Sequence, residues 1–453
     1  MTKENHPVRT SRPKRKTQEM YLNIGPSHPA MHGIIRIITE LEGETVKKAE
    51  IEIGYLHRAF EKDSEQVSWN GVMPYTDRLN YVSPLINNFG YCMAVEKLMG
   101  LQVPERGLYI RTIMSEISRL VDHLTCVGAS AMELGAFTAF LYLMQIRDEL
   151  YELIEDVTGA RITNSFGRVG GVRADLTADF IPKSREKFKT AHRLIKEVDK
   201  LLTNNRIFYD RTRGIGIISA EDAQDWGITG PWLRSTGVAH DLREAEPYMM
   251  YDRVQFDIPY GEYGDNYDRY MVRMEEMRQS LRICEQCFDQ IGEGSLSADI
   301  PPEYMESADL VDTAKSMKTA GLIDKEAALC PNLRGQEKHQ IAAVSAASKA
   351  STLPPKAQCY SNIEGLMNHF MLVMDNWGVR PPMGEAYAAI EAPNGELGFY
   401  VVSDGRGKPY RVRCHPPCFP IMNALADVLQ DGMVADIIAT FGSVNMIGGE
   451  LDR

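Results

Sequence analysis

Cysteine is scarce in this chain: eight residues in 453, at positions 92, 126, 284, 287, 330, 359, 414 and 418. So few exclude a disulfide scaffold and suit a reducing compartment, which makes the cytoplasm the expected location. No iron–sulfur cysteine spacing occurs. Cys284 and Cys287 form a CxxC, but Met274, Met277, Leu281, Cys284 and Phe288 recur at helical spacing, and no second CxxC completes a zinc site, so packing is expected. Cys414, His415 and Cys418 bring three soft donors together; Pro416, Pro417 and the missing fourth ligand favour a structural turn. Positive charge is also short, with 50 Lys and Arg against 62 Asp and Glu and a formal net charge of -12. Nucleic acid is therefore not an expected partner, since phosphate affinity rests on accumulated cations. No internal repeat and no low-complexity tract is present. A composition of 44% hydrophobic and 25% charged residues excludes a disordered chain, a collagen and a polytopic membrane protein.

Basic residues do gather at residues 1–18, where Lys3, Arg9, Arg12, Lys14, Arg15 and Lys16 oppose Glu4 alone. Pro7 and Pro13 and the lack of an apolar run argue against a secretory signal or transit peptide, so a disordered, solvated arm is expected. Residues 19–61 read as a β element: Ile34–Leu41 and Val46–Ile53 are rich in β-branched residues and flank Glu42, Gly43 and Glu44. Residues 62–292 read as a helical bundle, with Ile110, Ile113, Ile117, Leu120 and Leu124 on one stripe. An irregular segment is expected over 293–358 and a small α/β part over 359–453, with strands on either side of Pro393, Asn394 and Gly395. The fold class is α+β.

The stretch Leu124–Ile146 imitates a membrane span, 23 residues with Glu133 as its only formal charge. A carboxylate at bilayer depth costs about 2.5 kcal/mol or more, so a helix buried in the bundle is expected instead. Glu133 is then a buried acid that needs a partner or a raised pKa, and a candidate for function.

Several loops carry groups suited to chemistry. Gly25-Pro26-Ser27-His28-Pro29-Ala30-Met31-His32-Gly33 sets two histidines beside a strand, Gly54-Tyr55-Leu56-His57-Arg58 adds a basic pair, and Asp77-Arg78-Leu79-Asn80-Tyr81 a guanidinium and a phenol. Arg168-Val169-Gly170-Gly171-Val172-Arg173 lacks GxGxxG and Walker spacing and reads as a tight turn.

These motifs, followed by EEMRQSLRICEQC at 275–287, EAPNGELGFYVVSDGRGKPYRVR at 391–413 and the closing IGGELDR, together resemble the 49 kDa subunit family of respiratory complex I over residues 19–453. The resemblance implies a fold similar to the large subunit of nickel–iron hydrogenases, with quinone bound where the metal once sat. It implies a subunit of a proton-translocating NADH:quinone oxidoreductase, peripheral on the cytoplasmic side of the inner membrane. Its partners would be a small subunit carrying a [4Fe-4S] cluster, other peripheral-arm and membrane-arm subunits, and the quinone; the chain itself would bind no metal or cofactor. Carried over by position, His32 and Tyr81 match the pair that holds the quinone headgroup, Glu133 the acid paired with the loop histidine, and Arg58, Arg78 and Thr163 positions near the neighbour's cluster. Glu133 stands where the family commonly has Asp, Thr163 where it has His, and Phe166 where it has Tyr. A hydrogenase would need CxxC pairs that are absent around Asp77 and over 430–453. A non-catalytic scaffold subunit is the other alternative.

Overall fold

The computed structural model describes residues 19–31, 33–298, 300 and 378–453, with Ile363 and Leu366 as isolated positions. The basic tail, His32, Cys330, Cys359 and most of the segment expected to be irregular lie outside the described residues.

The N-terminal sheet is antiparallel in the order β1 (Glu19–Ile24), β2 (Arg36–Glu42) and β3 (Thr45–Glu52). Strict alternation makes β2 one-sided, burying Ile37, Thr39 and Leu41 and leaving Arg36, Ile38 and Glu40 partly open. Long helices follow: α1 (Pro84–Met99), α2 (Glu105–Glu133), α3 (Phe137–Thr158), α4 (Phe180–Leu202) and α5 (Asn266–Gln290). Helices α2 to α5 form a ring in which each packs on the next and α5 closes on α2. Their ends follow from local chemistry. Pro84 opens α1 where its missing N–H costs nothing, and the Asp265 side chain caps α5 by accepting from the Asp268 N–H at 2.8 Å.

At 29 residues, α2 is about 43 Å long. It corrects one expectation: Leu124–Ile146 is not one helix, because α2 stops at Glu133 and α3 starts at Phe137. Between them Gly135 takes φ 90°, a left-handed conformation that turns the chain back on itself. Glu133 is accordingly half-buried at a helix end rather than deep in a core. No helix among the described residues is long and apolar enough to cross a membrane.

Helix α2 also exceeds the single stripe expected of it. Arg111, Glu116, Arg119, Asp122 and His123 are buried beside its apolar residues, so every charge needs a partner. Arg111 grips both oxygens of Glu96 at 2.9 and 2.5 Å. Glu116 receives Tyr251 Oη at 2.6 Å and Ser280 Oγ at 2.7 Å, beside Arg119 and Arg243. Arg111 also donates to the carbonyls of Arg168 and Gly171, both at 2.9 Å. These hold the two-residue strands β4 (Gly167–Arg168) and β5 (Gly171–Val172) in the tight turn that their sequence suggested.

The C-terminal part divides. Strands β6 (Gly384–Ala392), β7 (Gly395–Ser403) and β8 (Arg411–His415) form an antiparallel sheet against α1. Helices α6 (Cys418–Leu429), α7 (Val434–Gly442) and α8 (Gly448–Asp452) instead join the N-terminal sheet. Ile37, Leu41 and Val46 share one apolar cluster with Ile421, Leu425, Ile437 and Phe441. Backbone bonds from Val46 N–H to Gly432 O and from Asp431 N–H to Val46 O, at 2.9 and 2.8 Å, stitch the two ends together. Cys284 and Cys287 are buried on α5, Cys414 on β8 and Cys418 at the start of α6, on either side of the turn at Pro416 and Pro417, and all six described cysteines are free.

Candidate functional site

The functional candidates converge where the chain ends meet the bundle. The link from β3 to the bundle is clamped by Asp452, whose two carboxylate oxygens accept the N–H groups of Gly54 and Leu56 at 2.9 and 2.7 Å. The neighbouring His57 Nδ1 lies 2.8 Å from the Asp452 carbonyl, an oxygen that only accepts, so Nδ1 carries the proton. This clamp presents Arg58, which donates through Nη2 to the carbonyls of Arg78 at 2.5 Å and Gly449 at 3.3 Å. Gly449 is required there: a Cβ would stand 2.5 Å from Arg78 O and 2.9 Å from Arg58 Nη2.

Arg78 lies in the turn after a short helix, Met73–Thr76, donates to Pro74 O at 2.6 Å and is exposed, like Arg58. Its neighbour Asp77 is buried and ties in the loop that carries Thr163. One Asp77 oxygen accepts from Asn88 Nδ2 at 2.7 Å, the other from the Ser165 N–H and hydroxyl at 2.9 and 2.5 Å. Burial raises the Asp77 pKa, opposed by the hydrogen bonds from Ser165 and Asn88. Thr163 is exposed and takes φ 53°.

Tyr81 is half-buried, and its hydroxyl makes no hydrogen bond among the described residues. Burial raises its pKa; Arg58 lowers it, and Asp122 and Cys418 raise it further, so the phenol holds its proton. Behind it runs a buried amide chain. Asn80 Nδ2 donates to one oxygen of Asp122 at 2.9 Å and Asn445 Nδ2 to the other at 2.6 Å. Asn445 Nδ2 also reaches Asn394 Oδ1 at 2.6 Å, and Asn394 Nδ2 approaches Cys418 Sγ at 3.4 Å. The Cys418 N–H then donates to Glu450 Oε1 at 3.2 Å. Glu450 is wholly buried, and burial pushes its pKa up to about 7 against the hydrogen bonds from Cys418.

The structure thus brings Arg58, Arg78 and Tyr81 together and ties the Thr163 loop to them through Asp77. His32 lies outside the described residues. Just before it, the turn Pro29–Met31 packs on α7, and Glu133 meets the far end of α7, its Oε2 2.6 Å from where a Cβ on Gly442 would stand. An open groove of about 410 Å³ lies beside the clamp, lined by His57, Arg411, Phe419 and Asp452; Tyr81 is not among its walls. Among the described residues no three His, Cys, Asp or Glu side chains gather as a metal cage. Asp122 and Glu450 join the candidates from the structure alone. Asp122 carries the same signal as Glu133, an acid in an apolar helix, whereas nothing in IGGELDR marks its glutamate as buried.

The family model described as "Respiratory-chain NADH dehydrogenase, 49 Kd subunit" matches residues 133–453. The chain belongs to this family. It is a subunit of an oxidoreductase complex, and the hydrogenase alternative falls away. A relative from Myxococcus xanthus, a D-type subunit of NADH-quinone oxidoreductase, is 48% identical over 438 residues, which cover 97% of this chain and 94% of the relative. The first of the D-type NADH-quinone oxidoreductase subunits of Sorangium cellulosum is 47% identical, with 96% of each chain covered. In Bdellovibrio bacteriovorus the similar protein is a C/D-type subunit of NADH-quinone oxidoreductase, 44% identical over 95% of this chain and 68% of that one. The relatives match over almost the whole chain, and the described residues have the α+β architecture expected.

Proposed function

We propose that this chain forms, with a neighbouring subunit bearing a [4Fe-4S] cluster, the chamber in which quinone is reduced at the cytoplasmic face of a membrane arm. NADH is the electron source that the relatives' names suggest. The observation that carries the reading is Tyr81: a half-buried, protonated phenol with no hydrogen-bond partner among the described residues, beside the Arg58 guanidinium. Reduction of a quinone takes two electrons and two protons, and negative charge develops on both carbonyl oxygens, so a donor must stand at each. Tyr81 supplies one. His32 supplies the other as an imidazolium near neutrality, with Glu133 orienting it or returning its proton. Burial makes the phenol a weak acid, so it gives up its proton only to the strongly basic reduced quinone and not to the resting one. Arg58 and Arg78 stay charged and favour the reduced state of a cluster placed beside them. In a structure of the assembled complex with a quinone-site inhibitor bound, a headgroup oxygen should lie within about 3 Å of the Tyr81 hydroxyl. A headgroup beyond hydrogen-bond reach of both Tyr81 and His32 would overturn the assignment.

Thr163 yields a second expectation. An imidazole beside a one-electron centre can lower its midpoint by up to about 59 mV per pH unit, because the ring takes up a proton on reduction. Threonine does not titrate. The neighbour's cluster should therefore have a nearly pH-independent, low potential between pH 6 and 8, suited to a low-potential acceptor such as menaquinone. Redox titration of the complex at three pH values checks this, and a slope near the full one-electron value would show that another group carries the coupling.

A further inference from the structure

The link from β3 to the bundle is bent at both ends. Gly54 takes φ 106° and Ala59 φ 53°, each in the left-handed region, and the His57 N–H closes a turn on the Gly54 carbonyl at 3.1 Å. Arg58 stands exposed between these bends, so its place follows from wherever the link is fixed. Among the described residues only main-chain oxygen holds the guanidinium: it donates to the carbonyls of Arg78 and Gly449, as Arg78 does to that of Pro74. Neither arginine forms an ion pair among those residues. A carbonyl dipole fixes a cation and leaves its charge in place, whereas a carboxylate would fix and cancel it together.

The acid beside this seat is Asp452, 7% exposed on helix α8, three residues after the Gly449 carbonyl that Arg58 grips. It takes part in no ion pair among the described residues. Its oxygens are spent instead on the N–H groups of Gly54 and Leu56, at 2.9 and 2.7 Å, four and two residues before Arg58. The adjacent Arg453 turns to Glu61, its Nε 3.5 Å from Oε1. Two backbone donors answer the buried charge of Asp452, as a carboxylate inside a fold requires, and both belong to the segment that carries Arg58. Gly449 closes the seat from the other side, since a Cβ there would press on Arg58 Nη2 and on the carbonyls of Arg78 and Leu79.

We propose that Asp452 is the positioning residue for Arg58: its grip on Gly54 and Leu56 sets the guanidinium's distance from the neighbour's cluster while leaving the charge unneutralised, and so helps to fix the potential at which that cluster is reduced. The inference rests on the place given above to Arg58 beside the cluster. Asparagine at 452 keeps the size of the side chain but turns one acceptor into a donor, which then faces an N–H of the link. The link moves off, and Arg58 with it. A cation drawn away from a redox centre makes that centre harder to reduce, whereas removal of an acid by itself makes it easier. The two effects have opposite signs.

The test is a redox titration of the cluster in the assembled complex carrying Asp452→Asn, Arg58→Met or both. Asp452→Asn should lower the ratio of reduced to oxidised cluster at a fixed potential about threefold, and Arg58→Met should lower it further. On the Arg58→Met background Asp452→Asn should lower it no more, because the guanidinium through which it acts is gone. A ratio unchanged or raised in Asp452→Asn, while Arg58→Met lowers it, overturns this inference alone, and so does a fall that persists in full in the double variant. A ratio unchanged in Arg58→Met overturns the place given to Arg58 as well. If Asp452→Asn does not assemble, a density map of the wild-type complex decides: Arg58 on its two carbonyls with Asp452 on the link upholds the proposal, and a carboxylate bonded to Arg58 overturns it.

Discussion

Replacing Tyr81 by phenylalanine should leave the complex assembled and cut quinone reduction at least about fivefold. The ring keeps its packing, and what disappears is one hydroxyl that makes no hydrogen bond among the described residues. If that hydroxyl holds a quinone oxygen, its loss leaves a buried acceptor unsatisfied, at a cost of about 1 to 3 kcal/mol. The effect should be greatest after the first electron, when the oxygen carries most charge and the hydrogen bond is charge-assisted. Steady-state rates with several quinones, on complex of verified subunit content, check the expectation. Turnover within a factor of two of wild type would remove Tyr81 from the site.

Glu450→Gln should change how stability depends on pH. In the folded chain burial lifts the Glu450 pKa from 4.5 to about 7. Between those values the folded state keeps a proton that the unfolded state has lost, so stability falls as pH rises through this window and the loss is complete above it. The full penalty is about 3 kcal/mol. Glutamine can still accept from the Cys418 N–H and does not titrate. The variant should thus match wild type near pH 4 and exceed it by up to that amount at pH 8, because the remaining carboxylates titrate alike in both. Urea unfolding of both forms from pH 4 to 8 gives the difference directly. A constant offset across the range would mean that Glu450 is ionised in the fold throughout.

Much of the architecture is legible in the order of the amino acids. The hairpin at Glu42–Glu44 and the strands after Gly384 show in the sequence because one-sided burial writes a period of two. The break at Leu134-Gly135-Ala136 does not show in average hydropathy, which fails to register a single left-handed glycine, although Gly135 stands there as the signal. Arg58, Arg78 and Tyr81 are marked by resemblance to a family, and spacing alone leaves each of them a weak candidate. Their meeting depends on Asp452 and Gly449, hundreds of residues away, and no local pattern encodes that distance. The role of α6 to α8 as the second layer of the N-terminal sheet is hidden for the same reason: an amphipathic helix does not name the surface it will cover.

The clamp between Asp452 and the link after β3 has a consequence for the order of folding. The two partners lie 398 residues apart in the chain. Closing so long a loop carries an entropy cost that no local contact offsets, whereas α2 and α3 meet across a three-residue turn and can pair within the earliest collapse. The ring of helices should therefore form first and the N-terminal sheet wait for α6 to α8. Until they arrive, Arg58 has no fixed place and Tyr81 no guanidinium beside it. The corner that holds Arg58, Arg78 and Tyr81 is then the last part of the molecule to be built.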